Sequence, residues 1–516
     1  MRKIVQHPHF IPWFLFIVFA SIYFSSTVGV MNSMDAPQYA MTQALVEKNT
    51  IQIDSFNQWS WPDYCIINDH IYNCREPGQS FLGIPFYLLA KAVLPLVNSP
   101  YQGYPDINED SKLEALTYGF FSTIGVLSVI LLWGICRKLK ISKAGSLFAA
   151  FLFGIGSLLW RYSFGYVRQS PAVLLYLSFI YVILYKPDRS KEVVKWFLLG
   201  LITGVIQLFD SVSFLPLFLT GILYLLFKKI RRKKSICYLF VAFILPVLFM
   251  IILRLVYNKI AFGDYLSEGR FISVYAPIPL QYQFSAEAKK TIPYLLFSFK
   301  SLPPTVLDYM KNLPQDMAEK LEYGLWATKN KFLGIFIQSP ILFLFFPGII
   351  LLFRRNRRLL FMILLIIGLN LIIIGKFMGF YNPNSYDTRY LLPVIPLLFI
   401  SVSYCIDSIF RSKKKLIIIV CSVIAVLLAL LSIYNSWYSV ITSYSPHISG
   451  ENRFSFYQLA KPWGNIGNAK NNAALLFINT FPNIYNLHIL FIFYLVPLLG
   501  IFLLRKLFQS LLATKR

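Results

Sequence analysis

Apolar residues in this chain gather into runs of about twenty that recur from one end to the other, broken by short polar or basic stretches. About twenty residues is the length a helix needs to cross the hydrocarbon core of a bilayer. Backbone groups in lipid must be hydrogen-bonded within their own segment, so such runs fold as helices. The pattern predicts spans at Phe10–Met31, Glu114–Cys136, Gly145–Trp160, Ser170–Tyr185, Trp196–Phe209 and Val212–Phe227. It continues with Ile236–Asn258, Phe332–Phe353, Leu359–Gly375, Tyr390–Ile409, Leu416–Trp437 and His488–Leu504, about 12 in all. Phe81–Val97 is apolar too, but contains Pro85, Lys91 and Pro95. Counting it as a span would invert every later segment, so it reads as a juxtamembrane or re-entrant helix. The expected fold class is an all-α polytopic membrane protein.

Composition agrees with that pattern. Of 516 residues, 57% are hydrophobic, 17% aromatic and only 14% charged, where soluble domains carry roughly a quarter charged. The net charge of +26 would suit a nucleic-acid binder, but its distribution says otherwise. Of the 49 basic residues, 28 lie in seven short clusters between apolar runs: the pair Arg2 and Lys3, Arg137–Lys143, Lys186–Lys195, Lys228–Lys234, Arg354–Arg358, Arg411–Lys415 and Arg505–Arg516. Only Asp188, Glu192 and Asp407 accompany them, leaving 21 basic against 20 acidic residues elsewhere. With both termini cytoplasmic, every cluster falls inside, as the positive-inside rule requires. The charge encodes topology, and no nucleic-acid partner is expected.

The first apolar run is longer than a signal-peptide core and lacks a small-residue cleavage site, so it is expected to stay as a span. Three long segments then face outward: 32–112, 259–331 and 439–487. Residues 1–437 form one transmembrane module and 438–516 the last outer loop with a C-terminal helix. Work done outside the membrane belongs on the outer face.

Cys136, Cys237, Cys405 and Cys421 lie in or beside spans and read as small packing residues. Cys65 and Cys74 flank a stretch that looks like a short hairpin. A two-residue turn at Asp69-His70 would set them opposite each other, with Cα atoms ~4.5 Å apart, close enough for a disulfide in an oxidising compartment.

Ionisable residues at span ends carry the chemical information, because burial beside lipid is costly unless the charge is used. Asp35 follows the first span directly; with Pro37 behind it, the local reading is a helix cap. Arg75-Glu76-Pro77-Gly78 leads into the apolar run from Phe81, and its local reading is a turn before an interfacial helix. Arg389 opens Arg389-Tyr390-Leu391-Leu392-Pro393 and on local grounds could simply snorkel to headgroups.

Together these patches resemble the GT-C superfamily of membrane glycosyltransferases, closest to the branch of protein O-mannosyltransferases and the lipid A aminoarabinose transferase. Members show an Asp after the first span, then a helix like Tyr39–Glu47, a short stretch like Ile51–Asp54, a Lys-x-Pro-Gly turn and an Ile-Pro-Phe-Tyr-Leu-Leu run. Here Arg75 replaces the Lys, and Asp387-Thr388 precedes Arg389 where Gly-Pro is common. The resemblance implies a polyprenyl-phosphate sugar as donor and co-substrate, and no other cofactor is expected. Transfer needs a base for the acceptor hydroxyl, for which Asp35 is the candidate, with inversion at the sugar carbon. The departing lipid phosphate needs cations, for which Arg75, Arg389 and Arg168 are the candidates. Arg161, Arg254, Arg270 and Lys376 lie near the same face. Glu76 is a second acid, placed to orient the acceptor. Tyr39, Asp387 and Asp210 are candidates for substrate contact, Asp210 reading alternatively as the polar tip between two spans. The acceptor is a glycan, lipid or protein of the cell envelope, and the implied site is the extracytoplasmic side of a bacterial or archaeal plasma (inner) membrane.

The competing class is a transporter or flippase of lipid-linked glycans. Transporters favour paired repeats and ionisable groups near the bilayer midplane, whereas here the charges cluster at span ends. His70, His447 and His488 have no metal-ligand spacing, and no glycine-rich phosphate loop follows a strand.

Overall fold

The computed structural model describes residues 10–27, 35–57, 60, 64–96, 109–188, 191–227, 233–267, 269, 287–298, 334–376, 388–412 and 415–442. His488–Leu504, Asp387, Arg270 and nearly all of 438–516 lie outside the described residues. Within the described residues, each of the other predicted spans is largely helical. Among the described residues, six helices are long and apolar enough to cross a membrane: Gly78–Leu96, Leu113–Lys138, Ile236–Phe262, Arg357–Lys376, Arg389–Arg411 and Ile418–Trp437. The stretch predicted as juxtamembrane is thus, by length and composition, able to span.

Several predicted spans are not single helices. Phe332–Phe353 is broken at Ser339 (φ −125°, ψ 77°), between the short helix Ile335–Gln338 and the 3-10 turn Pro340–Leu344. Pro340 holds its predecessor out of the helical region. Gly145–Trp160 divides into Lys143–Ile155 and Leu159–Ser163 around Gly156. Tyr390–Ile409 opens as a 3-10 turn, Arg389–Val394, and becomes α-helical at Ile395.

Burial orders the bundle. The segment Arg389–Arg411 is central, with 89% of its apolar window buried; Ile236–Phe262 and Ile418–Trp437 are peripheral, at 28% and 22%. The peripheral helices show Leu245, Leu248, Phe249, Ile252, Leu427 and Leu430 to the exterior. So much exposed hydrocarbon would be an aggregation liability in water and is a lipid-facing surface in a bilayer. Gly200 lets Glu192–Ile206 press against Phe243 of Lys233–Phe262, where any Cβ would meet that residue's carbonyl; small residues serve such close contacts in membranes.

Three basic clusters meet at one end of this bundle. The buried Asp407 accepts the Ser142 N–H at 2.9 Å and pairs with Arg411 Nε at 2.8 Å and Arg355 Nη1 at 3.9 Å. The helices Gln169–Ile183 and Ile395–Arg411 lead from there to the opposite end, where Arg168 and Arg389 stand. The 15 residues of Gln169–Ile183 put roughly 22 Å between the ends.

At that opposite end the first loop folds into a helix, Ala36–Lys48, with proline in its first turn and Asn49 closing it in the left-handed region (φ 52°). A hairpin of Tyr64–Ile67 and His70–Asn73 follows, pairing Cys65 with Tyr72 and Ile67 with His70. Its turn is Asn68-Asp69, at φ 50° and 63°, one residue earlier than the predicted Asp69-His70. Asn and Asp tolerate the positive φ that a two-residue hairpin turn demands, and His does so less well. Cys74 consequently lies beyond the strand rather than opposite Cys65, and the two form a disulfide with Cα atoms 5.5 Å apart. Ile53 N–H donates to Ile71 O at 2.8 Å and Ile71 N–H to Asp54 Oδ1 at 2.7 Å, docking the Ile51–Asp54 stretch on the hairpin.

Candidate active site

The disulfide hairpin delivers the chain directly into Arg75–Gly78. Asn73 Oδ1 accepts the Arg75 N–H at 2.9 Å. Gly78 N–H donates to Leu208 O at 2.8 Å, and a Cβ at Gly78 would sit 2.6 Å from that same oxygen. Only glycine permits this backbone approach, which explains the Pro-Gly turn: it fastens the first loop to the link between Glu192–Ile206 and the helix Ser211–Leu226.

That fastening puts Glu76 among groups far from it in sequence. Its carboxylate pairs with Arg168 Nη1 (3.1 Å to Oε2) and accepts from Ser211 Oγ at 3.0 Å. Both ion-pair side chains are buried, at 2% and 9% exposure. Arg254 Nη1 donates to Ser211 Oγ and to Gln207 O, each at 2.6 Å. Burial works against the Arg168 charge, but the fields of Glu76, Asp210 and Tyr390 outweigh it and raise its pKa. Asp210 precedes Ser211–Leu226 without capping it through its side chain; its Oδ2 accepts from Ser213 Oγ at 2.6 Å. It lies between Glu192–Ile206 and Ser211–Leu226, and at 3% exposure it is buried.

Tyr390 gathers the cations. The Arg389 and Arg168 guanidinium carbons stand 5.2 and 5.6 Å from its ring centroid, and the positive fields of Arg389, Arg168 and Arg75 all fall on its phenol. Three arginines from three distant segments therefore share one neighbourhood. Arg389 and Arg168 are buried in it, while Arg75 and Tyr390 are half-buried and form its accessible side.

Asp35 belongs to an adjoining group. It is buried at the N-cap position of Ala36–Lys48, where the local reading placed it, but its side chain makes no capping hydrogen bond. Its charge, with that of Glu114, bears on the phenol of Tyr118. Tyr118 packs on Tyr39 and Tyr166 at 5.4 and 5.2 Å between ring centroids, so Tyr39 is one ring of a buried aromatic cluster. The Tyr166 and Thr42 hydroxyls lie 2.8 Å apart, and Thr42 Oγ1 also donates to Ser80 O at 3.0 Å. Tyr166 precedes Arg168 by two residues and Ser80 follows Glu76 by four, so the groups are joined through both segments.

Tyr390, Ser211, Tyr118 and Tyr166 were not singled out by sequence. Tyr390 stood beside Arg389 in the quoted motif; the others belong to ordinary aromatic or helix-start patterns without a local signal. Among the described residues, no three His, Cys, Asp or Glu side chains gather as a metal site.

No family model matches the chain, and no curated protein does. Solved structures of similar arrangement include ArnT from Cupriavidus metallidurans in the apo state, with 12% identity, a TM-score of 0.44, and coverage of 91% of this chain and 75% of that one. They also include the same protein bound to undecaprenyl phosphate, with 12% identity, a TM-score of 0.42, and coverage of 91% and 76%. Likeness of this degree assigns no residue a role.

Proposed function

We propose that this chain is a glycosyltransferase that moves a sugar from a polyprenyl-phosphate-linked donor to an acceptor hydroxyl at the outer membrane face, with inversion. The observation that carries the reading is the convergence of Arg75, Arg168 and Arg389 on Tyr390, beside the buried Glu76. Guanidinium forks suit phosphate oxygens, and a dry surrounding strengthens them where charge develops.

In the proposed reaction Asp35 accepts the proton of the acceptor hydroxyl as its oxygen bonds to the sugar C1. The bond from C1 to the phosphate oxygen breaks, and polyprenyl phosphate leaves with the electron pair, its new charge met by the arginines. Glu76, engaged by Arg168 and Ser211, serves to hold Arg168 in place.

Mass spectrometry of surface glycans from cells lacking the protein identifies sugar and acceptor together. With that pair in hand, Asp35→Asn should lower transfer by about 100-fold or more, the usual contribution of a general base. Undiminished transfer by folded Asp35→Asn protein removes Asp35 as the base. Failure of undecaprenyl phosphate to bind the wild type in native mass spectrometry removes this lipid as the carrier.

A further inference from the structure

The helix Gly78–Val93 starts unsatisfied, in the turn that carries Arg75. Pro77 stands at its cap position and supplies no side-chain acceptor. The Gly78 N–H is taken by Leu208 O and that of Phe81 by Pro77 O, while among the described residues the N–H groups of Gln79 and Ser80 have no acceptor. Glu76, the nearby anion that could answer this positive end, is engaged by Arg168 and Ser211.

The side chains repeat the pattern. Gln79 and Ser80 are fully buried, and the Gln79 amide nitrogen and oxygen and the Ser80 hydroxyl have no hydrogen-bond partner. Cα–Cβ bonds tilt toward the N-terminus of a helix, so first-turn side chains lean back over it. Leaving such groups buried and unmatched is costly, and a protein retains them where a ligand uses them.

We infer that this helix start is an anion subsite, in which the backbone N–H groups of Gln79 and Ser80, the Gln79 side-chain amide N–H and the Ser80 hydroxyl donate to the non-bridging oxygens of a phosphate that Arg75 approaches from its accessible side. The ligand class is a phosphate ester. The inference rests on the carrier reading above for the ester being lipid-borne. Helix N-termini bind phosphate through free N–H groups and the dipole, and the unmatched, buried Ser80 and Gln79 side chains single this terminus out.

The test measures binding of undecaprenyl phosphate by native mass spectrometry and of inorganic phosphate by thermal shift, on the full chain in detergent. The variants are Ser80→Ala and Gln79→Met, which are apolar and of similar or smaller bulk. Each should weaken phosphate binding about tenfold, as expected for lost hydrogen bonds to a charged group, with the thermal midpoint unchanged or raised. Affinities within about twofold of wild type for both variants overturn the inference, as does a midpoint that falls together with affinity, the mark of a packing role. Binding of inorganic phosphate that depends on Ser80, without binding of the lipid, keeps the subsite and removes the lipid carrier. Binding of neither probe by the wild type overturns both.

Discussion

The two ends of the bundle each bury a carboxylate against arginine, and they do it in opposite ways. At one end Asp407 is 1% exposed, but the side chains of Arg411 and Arg355 are 49% and 47% exposed. The acid is a tie point: it takes a backbone N–H from Ser142 and lets two wet cations rest on it. At the other end Glu76 and Arg168 are both buried, and the hydrogen-bonded neighbour Ser211 is itself held by Arg254. Exposed partners give up little hydration and contribute little. Buried partners give up much, and their attraction restores it only when the geometry is good. A fastening needs nothing more than the first arrangement. The second, with three arginines around one phenol, is the less economical way to join helices, and it lies at the end where the proposed function uses the charge.

The contrast breaks most visibly at Arg168. Arg168→Ala strands Glu76 without its cation and should destabilise the protein by about 3–5 kcal/mol, read as a lowered thermal midpoint in detergent. The double variant Glu76→Gln with Arg168→Met should recover much of that loss while staying unable to bind undecaprenyl phosphate. A double variant no more stable than Arg168→Ala would mean that the pair is not the unit it looks to be.

How far sequence reaches differs between these levels. Run length located the helices because lipid leaves a chain of apolar residues no other hydrogen-bonded form. It passed over the break at Ser339, where Pro340 was plain to see but hydropathy averages across it. The hairpin register was missed by one residue, since seeking a direct cysteine pair outweighed the turn preference of Asn68-Asp69. Arg75 and Arg389 came from a motif resemblance. Arg168 was named from its place near a span end, but its partner Glu76 is 92 residues away, and no local pattern records such a contact. Tyr390 is the same kind of case: a tyrosine beside an arginine means little until Arg168 and Arg75 arrive from elsewhere.

At the Asp407 end a middling effect is expected. Asp407→Ala leaves the Ser142 N–H without its acceptor, a loss of about 1–2 kcal/mol, while both arginines turn to water. Thermal unfolding checks the size, and native mass spectrometry should show undecaprenyl phosphate binding unchanged, because the site lies roughly 22 Å away along Gln169–Ile183. Lipid binding that fell with Asp407→Ala would join the two ends into one functional unit and end the contrast.

The smallest effect sharpens the comparison most. Arg355 approaches Asp407 at 3.9 Å with its side chain 47% exposed, so Arg355→Ala should change stability by less than about 1 kcal/mol. Salt should erase even that: exposed charges are screened over about 10 Å at 0.1 M ionic strength, so wild type and Arg355→Ala should unfold at the same temperature in high salt. Arg168→Ala should keep most of its deficit there, because its partner is shielded from ions by protein on every side. A salt response shared by the two variants would mean that Glu76 and Arg168 sit in water after all, and that their charges are no drier than those at the Asp407 end.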